Sequence, residues 1–318
     1  MNISTRKINR QPRLGAIIRF SICAAALLFT ALTWQAEAAP LQAFVSVTRG
    51  DDGSDCSADK PCKTIGHALS VVPGGGRVVI IDSGEYEPFS ISRSVTVQTA
   101  PGVYAGVVAA TAGGSGIFIG AASADSVTLR GLTVIGAGSG IGINLSSGGV
   151  LRVEDCVVAD FNVQSARGIS VTADSRLFLS GTVVKGCGTG VFIGTSSGEV
   201  KAAIENCRIE ENSIGLNSAT NARVTARGSL FAGNSSRGIL GAPVSTIGSD
   251  LTLEGCVISG NAIGIETHVA ANIRVSNSTV TNNGTGLSVL GGTILTRGNN
   301  TVENNSSNGS FSGTYTAK

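Results

Sequence analysis

The feature that most constrains the fold of this chain is an internal repeat of 22 to 27 residues that recurs from Val127 onward. Each copy has one turn position, with an apolar residue two places before it and another three places after it. The turn position always holds a residue type that tolerates a left-handed backbone: Gly131, Asp155, Gly181, Asn206, Gly228, Gly255, Asn277 and Asn299. Apolar alternation on both sides of a sharp bend predicts strand, turn and strand, with the apolar side chains inward.

Two further columns follow the second strand of each copy. The first consists of five asparagines: Asn212, Asn234, Asn261, Asn283 and Asn305. A glycine then opens a third strand, as in residues 264–267. A coil of three short strands cannot bury its apolar face alone, so the copies must stack. We therefore predict an all-β fold, a right-handed parallel β-helix (β-solenoid) of about ten coils, in which the asparagines hydrogen-bond to one another along the stack.

The first 38 residues have the three-part plan of a secretory signal peptide. A basic segment at 6–19 is followed by an apolar run at 20–34 and by Ala-Glu-Ala at 36–38. An uncleaved membrane anchor is the alternative, but the apolar run is shorter than the roughly 20 residues that a spanning helix needs. We predict cleavage after Ala38 and a periplasmic or extracellular location.

Removal of this segment reverses the sign of the net charge. The whole chain carries +2, and residues 1–38 hold five basic residues and one acidic residue, so the remainder carries −2. The slight basicity of the chain therefore gives no reason to expect binding to nucleic acid or to an anionic membrane. We expect a monomer with no membrane span in the mature chain.

The mature chain divides into three parts. Residues 39–77 form an N-terminal leader with a disulfide loop and a short amphipathic helix, Thr64 to Val72, which we expect to cap the open end of the β-helix. Residues 78–305 form the parallel β-helix, and residues 306–318 form a C-terminal tail or cap.

The cysteines are interpreted by their positions in the repeat. Cys56 and Cys62 flank a short loop in an exported chain, which predicts a disulfide. Three others share one inward column in which Thr or Ser separates successive members: Cys156, Thr182, Cys207, Ser229 and Cys256. Cysteines two coils apart are separated by about 9.6 Å, beyond the roughly 7 Å Cα limit for a disulfide, so we predict buried free thiols.

The repeat resembles that of the pectin-lyase-like family of right-handed parallel β-helix proteins, over roughly Val78 to Asn305. The segments IENCRIEENSIGL and LEGCVISGNAIGI are similar to the repeat of that family. The segment FVSVTRGDDGSDCSADKPCKTIGHAL resembles the leader of its small secreted bacterial members. The resemblance implies the fold but not one function, because this scaffold carries lyases, hydrolases, epimerases, phage tailspikes and adhesins.

In the enzymes of that family the saccharide groove lies along the strand that follows the glycine. The outward positions of that strand in this chain are Gly142, Asn144, Ser170, Thr172, Phe192, Gly194, Asn217, Leu240, Glu266, His268 and Ser288. Calcium-dependent elimination needs clustered carboxylates and a basic residue, and hydrolysis needs paired carboxylates. These positions hold one carboxylate and no Lys or Arg.

Three polar groups remain as candidates for chemistry. Glu266 and His268 point the same way on one strand and form a candidate acid–base pair, with Arg237 from the preceding coil beside them; two solvated residues on an exposed face are the alternative. A second group offers carboxylates for calcium: Asp51, Asp52, Asp55 and Asp59. Its spacing does not match an EF-hand, and a solvated loop is the alternative. The third group, near Tyr86, is interpreted as an acidic turn: Asp82, Glu85 and Glu87.

The groove lacks the catalytic residues of the family's enzymes, which favours a binding protein over an enzyme. We expect an exported, non-catalytic β-helix protein that binds cell-surface or extracellular polysaccharide, with no cofactor other than a candidate calcium ion. A polysaccharide lyase, hydrolase or epimerase with atypical catalytic residues is one alternative. A structural or adhesive surface protein is the other.

Overall fold

The computed structural model describes residues 41–109, 113–244 and 247–316. The predicted signal peptide, residues 1–38, lies outside the described residues. The described chain contains one short helix, α1 (Ile65–Val71), and strands that form three sheets, A, B and C. Each full coil passes through sheet A, then sheet B, then sheet C, and the strands pair in parallel. The predicted all-β parallel β-helix is confirmed.

Sheet A is the longest of the three. Its strands, in order, are β1 (Gln42–Val45), β2 (Gly76–Ile80), β5 (Val95–Thr99), β8 (Ser126–Arg130), β11 (Val150–Glu154), β14 (Ser175–Ser180), β17 (Val200–Glu205), β20 (Ala222–Arg227), β23 (Ser249–Glu254), β26 (Ala271–Ser276), β29 (Thr293–Thr296) and β31 (Gly313–Thr314).

Sheets B and C follow in each coil. The strands of sheet B are β3 (Gly84–Tyr86), β6 (Ala105–Ala109), β9 (Leu132–Gly136), β12 (Val157–Ala159), β15 (Val183–Lys185), β18 (Arg208–Glu210), β21 (Leu230–Ala232), β24 (Val257–Ser259), β27 (Thr279–Thr281) and β30 (Thr301–Glu303). The strands of sheet C are β4 (Phe89–Ile91), β7 (Ser115–Gly120), β10 (Ile141–Ser147), β13 (Arg167–Val171), β16 (Thr189–Ile193), β19 (Ile214–Ser218), β22 (Arg237–Gly241), β25 (Ile263–Thr267) and β28 (Thr285–Val289).

The predicted turn column forms the bend between sheets A and B. From Gly131 to Asn277 its members have positive φ, between 47° and 71°. The last coil differs from the prediction, because Gly298 (φ 88°), and not Asn299, takes the left-handed conformation. The cause is one extra residue: four positions separate the paired residues Val275 and Thr279, whereas their partners, Thr296 and Thr301, are five apart.

A second left-handed bend joins sheets B and C, and the sequence analysis missed it. Its residues have φ between 56° and 69° and directly precede the asparagine column in most coils: Asp160, Gly186, Glu211, Gly233, Gly260, Asn282 and Asn304. Glu211 occupies this bend in one coil, a residue type that does not suggest positive φ. Two fixed bends per coil keep equivalent residues above one another.

The core is the space that the three sheets enclose. The apolar column before the first bend is almost fully buried, at 1% exposure or less: Leu129, Val153, Leu179, Ile204, Ala226, Leu253 and Val275. The column after that bend has 0% exposure: Val134, Val158, Val184, Ile209, Phe231, Ile258 and Val280. Since each apolar side chain packs on its equivalent in the next coil, the core is continuous along the stack.

The asparagine column forms a hydrogen-bonded ladder. Asn234 shows the pattern: its Nδ2 donates to Asn261 Oδ1 at 2.9 Å and to the Ile209 carbonyl at 3.2 Å, and its backbone N–H also donates to Asn261 Oδ1. The same bonds link Asn212 to Asn234, Asn261 to Asn283 and Asn283 to Asn305. The ladder therefore satisfies side-chain amides and backbone N–H groups that the bends would otherwise leave without a partner.

The leader and the tail both add strands to sheet A. β1 pairs with β2, and β31 pairs with β29, so sheet A continues on both sides of the predicted β-helix, residues 78–305. The reason is that an extra strand covers each end of the sheet, where backbone groups would otherwise lack partners. Helix α1 contacts β1, β2 and β4 and buries Ile65, Ala68 and Leu69.

The described cysteines form one disulfide and a set of buried thiols. Cys56 is bonded to Cys62, and the free thiols are those of Cys156, Cys187, Cys207 and Cys256. Burial raises the pKa of the Cys156 and Cys187 thiols to about 12. Thr182, Ser229 and Ser278 each hydrogen-bond to the backbone N–H of the cysteine one coil earlier, which places them between or beyond the cysteines in that column.

No helix in the described part of the chain is long and apolar enough to cross a membrane.

Candidate carbohydrate-binding face

The outer face of sheet C carries one continuous column of outward residues at the centre of its strands. Parallel pairing aligns them across the sheet: Phe118, Asn144, Ser170, Phe192, Asn217, Leu240, Glu266 and Ser288. We call this the central column. Its members lie one strand apart, at about 4.8 Å per step.

A second column at the start of the same strands contains two arginines, Arg167 and Arg237. Each leans toward the central column of the following coil. The Arg167 guanidinium lies 3.6 Å from the centre of the Phe192 ring, and its Nη1 also donates to Ser170 Oγ at 3.0 Å. Arg237 Nε donates to Glu266 at 2.6 Å. The two arginines therefore frame the stretch from Phe192 to Glu266.

Glu266 is buried although it belongs to an outward column. Its exposure is 1%, and its Oε1 accepts from Arg237 Nε at 2.6 Å and contacts His268 Nε2 at 3.0 Å. The His268 side chain stays 44% exposed. The structure thus brings the predicted pair together, but the alternative of two solvated residues is wrong for Glu266. The sequence places Arg237 beside this pair, but residue types alone do not indicate that Glu266 is buried.

The chemistry open to this group is limited by its single carboxylate. Glycoside hydrolases of the common kind need two carboxyl groups, roughly 5 to 9.5 Å apart. Among the described strands of sheet C, Glu266 is the one acidic residue. One of its oxygens already contacts both an arginine and a histidine. A catalytic role for Glu266 and His268 stays a prediction.

A groove of about 570 Å³ lies beside Phe192, between sheet C and the turns that lead back to sheet A. Its lining combines an aromatic ring, a guanidinium, an amide, hydroxyls and aliphatic groups: Arg167, Thr172, Phe192, Thr195, Ser196, Asn217, Thr220, Val244 and Ile247, with backbone and small residues between them. The Asn217 Oδ1 has no hydrogen-bond partner among the described residues. Apolar walls with a few convergent polar groups are typical of small-ligand sites.

Three carboxylates of the acidic loop of the leader accept local hydrogen bonds. Asp51 accepts from the Gly53 N–H at 2.9 Å, and Asp55 accepts from the Ser57 N–H at 3.0 Å. Asp52 accepts from the backbone and the hydroxyl of Thr64, the N-cap of α1. Partial burial raises the pKa of Asp52, but these hydrogen bonds outweigh it and lower the pKa.

One cluster of potential metal ligands occurs within residues 41–109, 113–244 and 247–316. It consists of Cys56, Cys62 and His67, and the two cysteines are already joined in the disulfide. None of the acidic-loop residues Asp51, Asp52 and Asp55 belongs to it. Calcium binding by that loop stays a prediction.

Asp82, in the predicted acidic turn, is an anchor between the leader and the first coil. Its carboxylate accepts from Ser46 Oγ at 2.7 Å, from the backbone N–H groups of Val47 and Thr48, from the Thr48 hydroxyl, and from Tyr86 Oη at 2.7 Å. Partial burial opposes ionisation, but these donors together lower the pKa of Asp82 well below its ordinary value. The role of Asp82 is structural.

Comparisons with known proteins agree with this architecture. A family model described as a right-handed β-helix region matches residues 139–307. The crystal structure of pectate lyase Pel9A is similar with a TM-score of 0.63 and 15% identity, over 86% of this chain and 79% of that chain. No curated protein matches the sequence.

Two further solved structures share the fold. The A-module of the Azotobacter vinelandii mannuronan C-5 epimerase AlgE6 has a TM-score of 0.61 and 17% identity, over 76% of this chain and 72% of that chain. XylC in complex with xylose has a TM-score of 0.59 and 10% identity, over 81% and 69%. At these identities the likeness shows the fold alone. With more than half of its length matched by the family model, the chain belongs to the right-handed β-helix family.

Proposed function

We propose that this chain is an exported β-helix protein that binds cell-surface or extracellular polysaccharide on the outer face of sheet C without transforming it. One observation carries the proposal: the groove beside Phe192, where an aromatic ring backed by Arg167 lies next to the amide of Asn217. The predicted signal peptide motivates the exported location.

The groove has the parts that sugar recognition uses. A pyranose ring presents an apolar C–H face, which packs on an aromatic ring, and hydroxyl groups, which need donors and acceptors. Phe192 offers the ring, and Asn217, Thr172 and Thr195 offer amide and hydroxyl groups. The three similar structures named above include a pectate lyase, a mannuronan epimerase and a complex with xylose, and all belong to carbohydrate chemistry.

The surroundings of Glu266 support binding without chemical change of the polysaccharide. It is the one carboxylate on the described strands of sheet C, it is buried, and it is engaged by Arg237 and His268. A general acid or base must reach the proton that it transfers. A buried, ion-paired carboxylate is better suited to hold Arg237 in place than to act on a polymer in the groove.

The binding proposal is tested by substitution in the groove. We expect Phe192→Ala and Asn217→Ala each to weaken binding of a glycan identified on a glycan array, by about tenfold for the loss of ring packing or of one well-placed hydrogen bond. The matched control is Phe118→Ala, which removes an exposed ring from the same central column outside the groove. Equal losses in Phe118→Ala and Phe192→Ala, or an array without any bound glycan, would overturn the proposal.

The alternative of an atypical lyase, hydrolase or epimerase rests on the contact between Glu266 and His268. It predicts unsaturated, shortened or epimerised products when the protein is incubated with uronic-acid polymers, with or without calcium. Product that disappears in Glu266→Gln would establish this alternative and refute the non-catalytic proposal. If no product forms, or if product persists in Glu266→Gln, then Glu266 and His268 are not the acid–base pair of such an enzyme.

A further inference from the structure

We propose a second binding site, for an anionic polysaccharide, on the outer face of sheet A. The site is a groove of about 440 Å³ whose lining includes Arg176, Lys201, Arg223 and Arg274. We call it the basic groove. Neither the proposed role of sheet C nor the family match assigns a function to this face, and the inference does not depend on the sheet C groove.

The basic groove owes its shape to small residues on neighbouring strands. Ala203, Thr225 and Thr252 occupy successive outward positions on β17, β20 and β23 and form its floor. The larger ring of Phe178 precedes them in the same column, and Arg274 follows them. The depression therefore runs across the strands, parallel to the stacking direction, as a site for a linear polymer would.

A row of positively charged side chains forms one side of this groove. Parallel pairing places Arg176 next to Lys201, and Lys201 next to Arg223, so three positive side chains follow one another at about 4.8 Å per strand. Arg152 lies one strand before Phe178 in the column that contains the floor, and its guanidinium is 4.3 Å from the centre of the Phe178 ring. A polymer with an anionic group on each sugar unit can meet several of these cations in succession.

The residues that line the groove carry more positive than negative charge. The lining holds four cations and one carboxylate, Asp250, a surplus of three positive charges on a mature chain whose predicted net charge is −2. Asp250 pairs with Arg223 and Arg274 at 3.4 Å, and Glu199, at the margin, pairs with Lys201 and Arg223. No ion pair involves Arg176 in the described part of the chain.

The existing ion pairs do not compete strongly with a ligand. Their side chains are between 33% and 63% exposed, and ion pairs that water and salt can reach contribute little to stability. A carboxylate or sulfate that contacts two guanidinium groups makes stronger, charge-assisted hydrogen bonds. The cations can therefore exchange their exposed partners for ligand oxyanions.

A polysaccharide fits the groove better than duplex DNA does. DNA carries one charge per roughly 1.7 Å of its axis and needs a broad basic surface. Here a single row of positively charged side chains is spaced one strand apart, and the floor of the groove is uncharged.

The test measures binding of the purified protein to heparin, to polygalacturonate, to a DNA duplex and to neutral dextran by biolayer interferometry, over a series of salt concentrations. The test variant is Arg176→Ser with Lys201→Ser. The matched control, Arg130→Ser with Arg208→Ser, also removes two exposed arginine or lysine charges but lies outside the groove. Circular dichroism and the midpoint of thermal unfolding verify that each variant is folded.

We expect one or both charged polymers, and not dextran, to bind the unsubstituted protein. The test variant should bind about tenfold more weakly or worse, with a shallower dependence on salt, while the control changes less than about twofold. Preference for heparin identifies sulfate as the recognised group, and preference for polygalacturonate identifies carboxylate. Equal losses in both variants, no binding of either polyanion at low salt, or tighter binding of a DNA duplex would overturn the proposal.

Discussion

At the scale of single residues, Asp82 attaches the leader to the first coil through a dense set of hydrogen bonds. Its carboxylate joins residues 46–48, which follow β1, to Tyr86 in β3. The leader carries no copy of the repeat, so its attachment depends on contacts of this kind in addition to strand pairing. Loss of one charged acceptor would leave several donors without a partner.

Asp82→Asn should lower the free energy of unfolding at pH 7 by about 1–3 kcal/mol, the range for a lost charged hydrogen-bond acceptor. Because the folded pKa of Asp82 is depressed, its contribution is present above the unfolded value of about 3.9 and is lost as the pH falls below it. Urea unfolding between pH 3 and pH 7 measures both effects. Glu85→Gln, an exposed neighbour, is the control. Identical pH profiles for Asp82→Asn and the unsubstituted protein would contradict this role.

Particular residues also show which features of the structure could be predicted from the sequence. The first turn column was predicted because every member is Gly, Asn or Asp, a backbone requirement visible in each copy. The second bend was missed because Glu211 occupies it in one coil. The burial of Glu266 was missed because it occupies an outward position of the repeat, and residue type alone does not show which outward positions are covered. Strand β1 was not predicted because it lies outside the repeat, so the repeat pattern does not indicate its pairing with β2.

At the scale of structural elements, the asparagine ladder links the bends between sheets B and C. Asn261 accepts hydrogen bonds from the side chain and the backbone of Asn234 and donates to Asn283. Asn305, at the end of the ladder, is partly exposed and is closed by Asn308. The energetic cost of losing a member therefore depends on its place in the ladder.

Asn261→Ala should lower the free energy of unfolding by about 2–4 kcal/mol, because it leaves buried donors of Asn234 unsatisfied. Asn305→Ala should cost less than half as much, since water can replace the lost partners there. Equilibrium unfolding in urea compares the two variants. Equal effects would mean that the ladder is not the source of the stabilisation.

At the scale of the whole molecule, equivalent residues of neighbouring coils pair strand by strand, so a coil is a unit that can be removed. Residues 206–227 hold one complete set of β18, β19 and β20. Their removal would join Glu205 to Gly228 and place Asn234 next to Cys187 in the ladder column. Each remaining apolar side chain would still meet its equivalent in the adjacent coil.

Deletion of residues 206–227 should give a folded monomer with a single unfolding transition, whose dependence on urea falls by about a tenth in proportion to the surface buried. Deletion of half that length, residues 206–216, should prevent folding, because it would set sheet B strands against sheet A strands. Size-exclusion chromatography and circular dichroism distinguish the results. A folded half-coil variant would contradict the idea that the coil is the unit of the fold.

Three of the four steps in the asparagine ladder span 22 residues, and this near-constant spacing also bears on descent. An in-frame duplication of one such segment would add a coil whose strands can pair with equivalent strands on both sides, and a deletion would remove one in the same way. If sheet C holds a linear glycan as we propose, each added coil would lengthen that face by one strand spacing, about 4.8 Å.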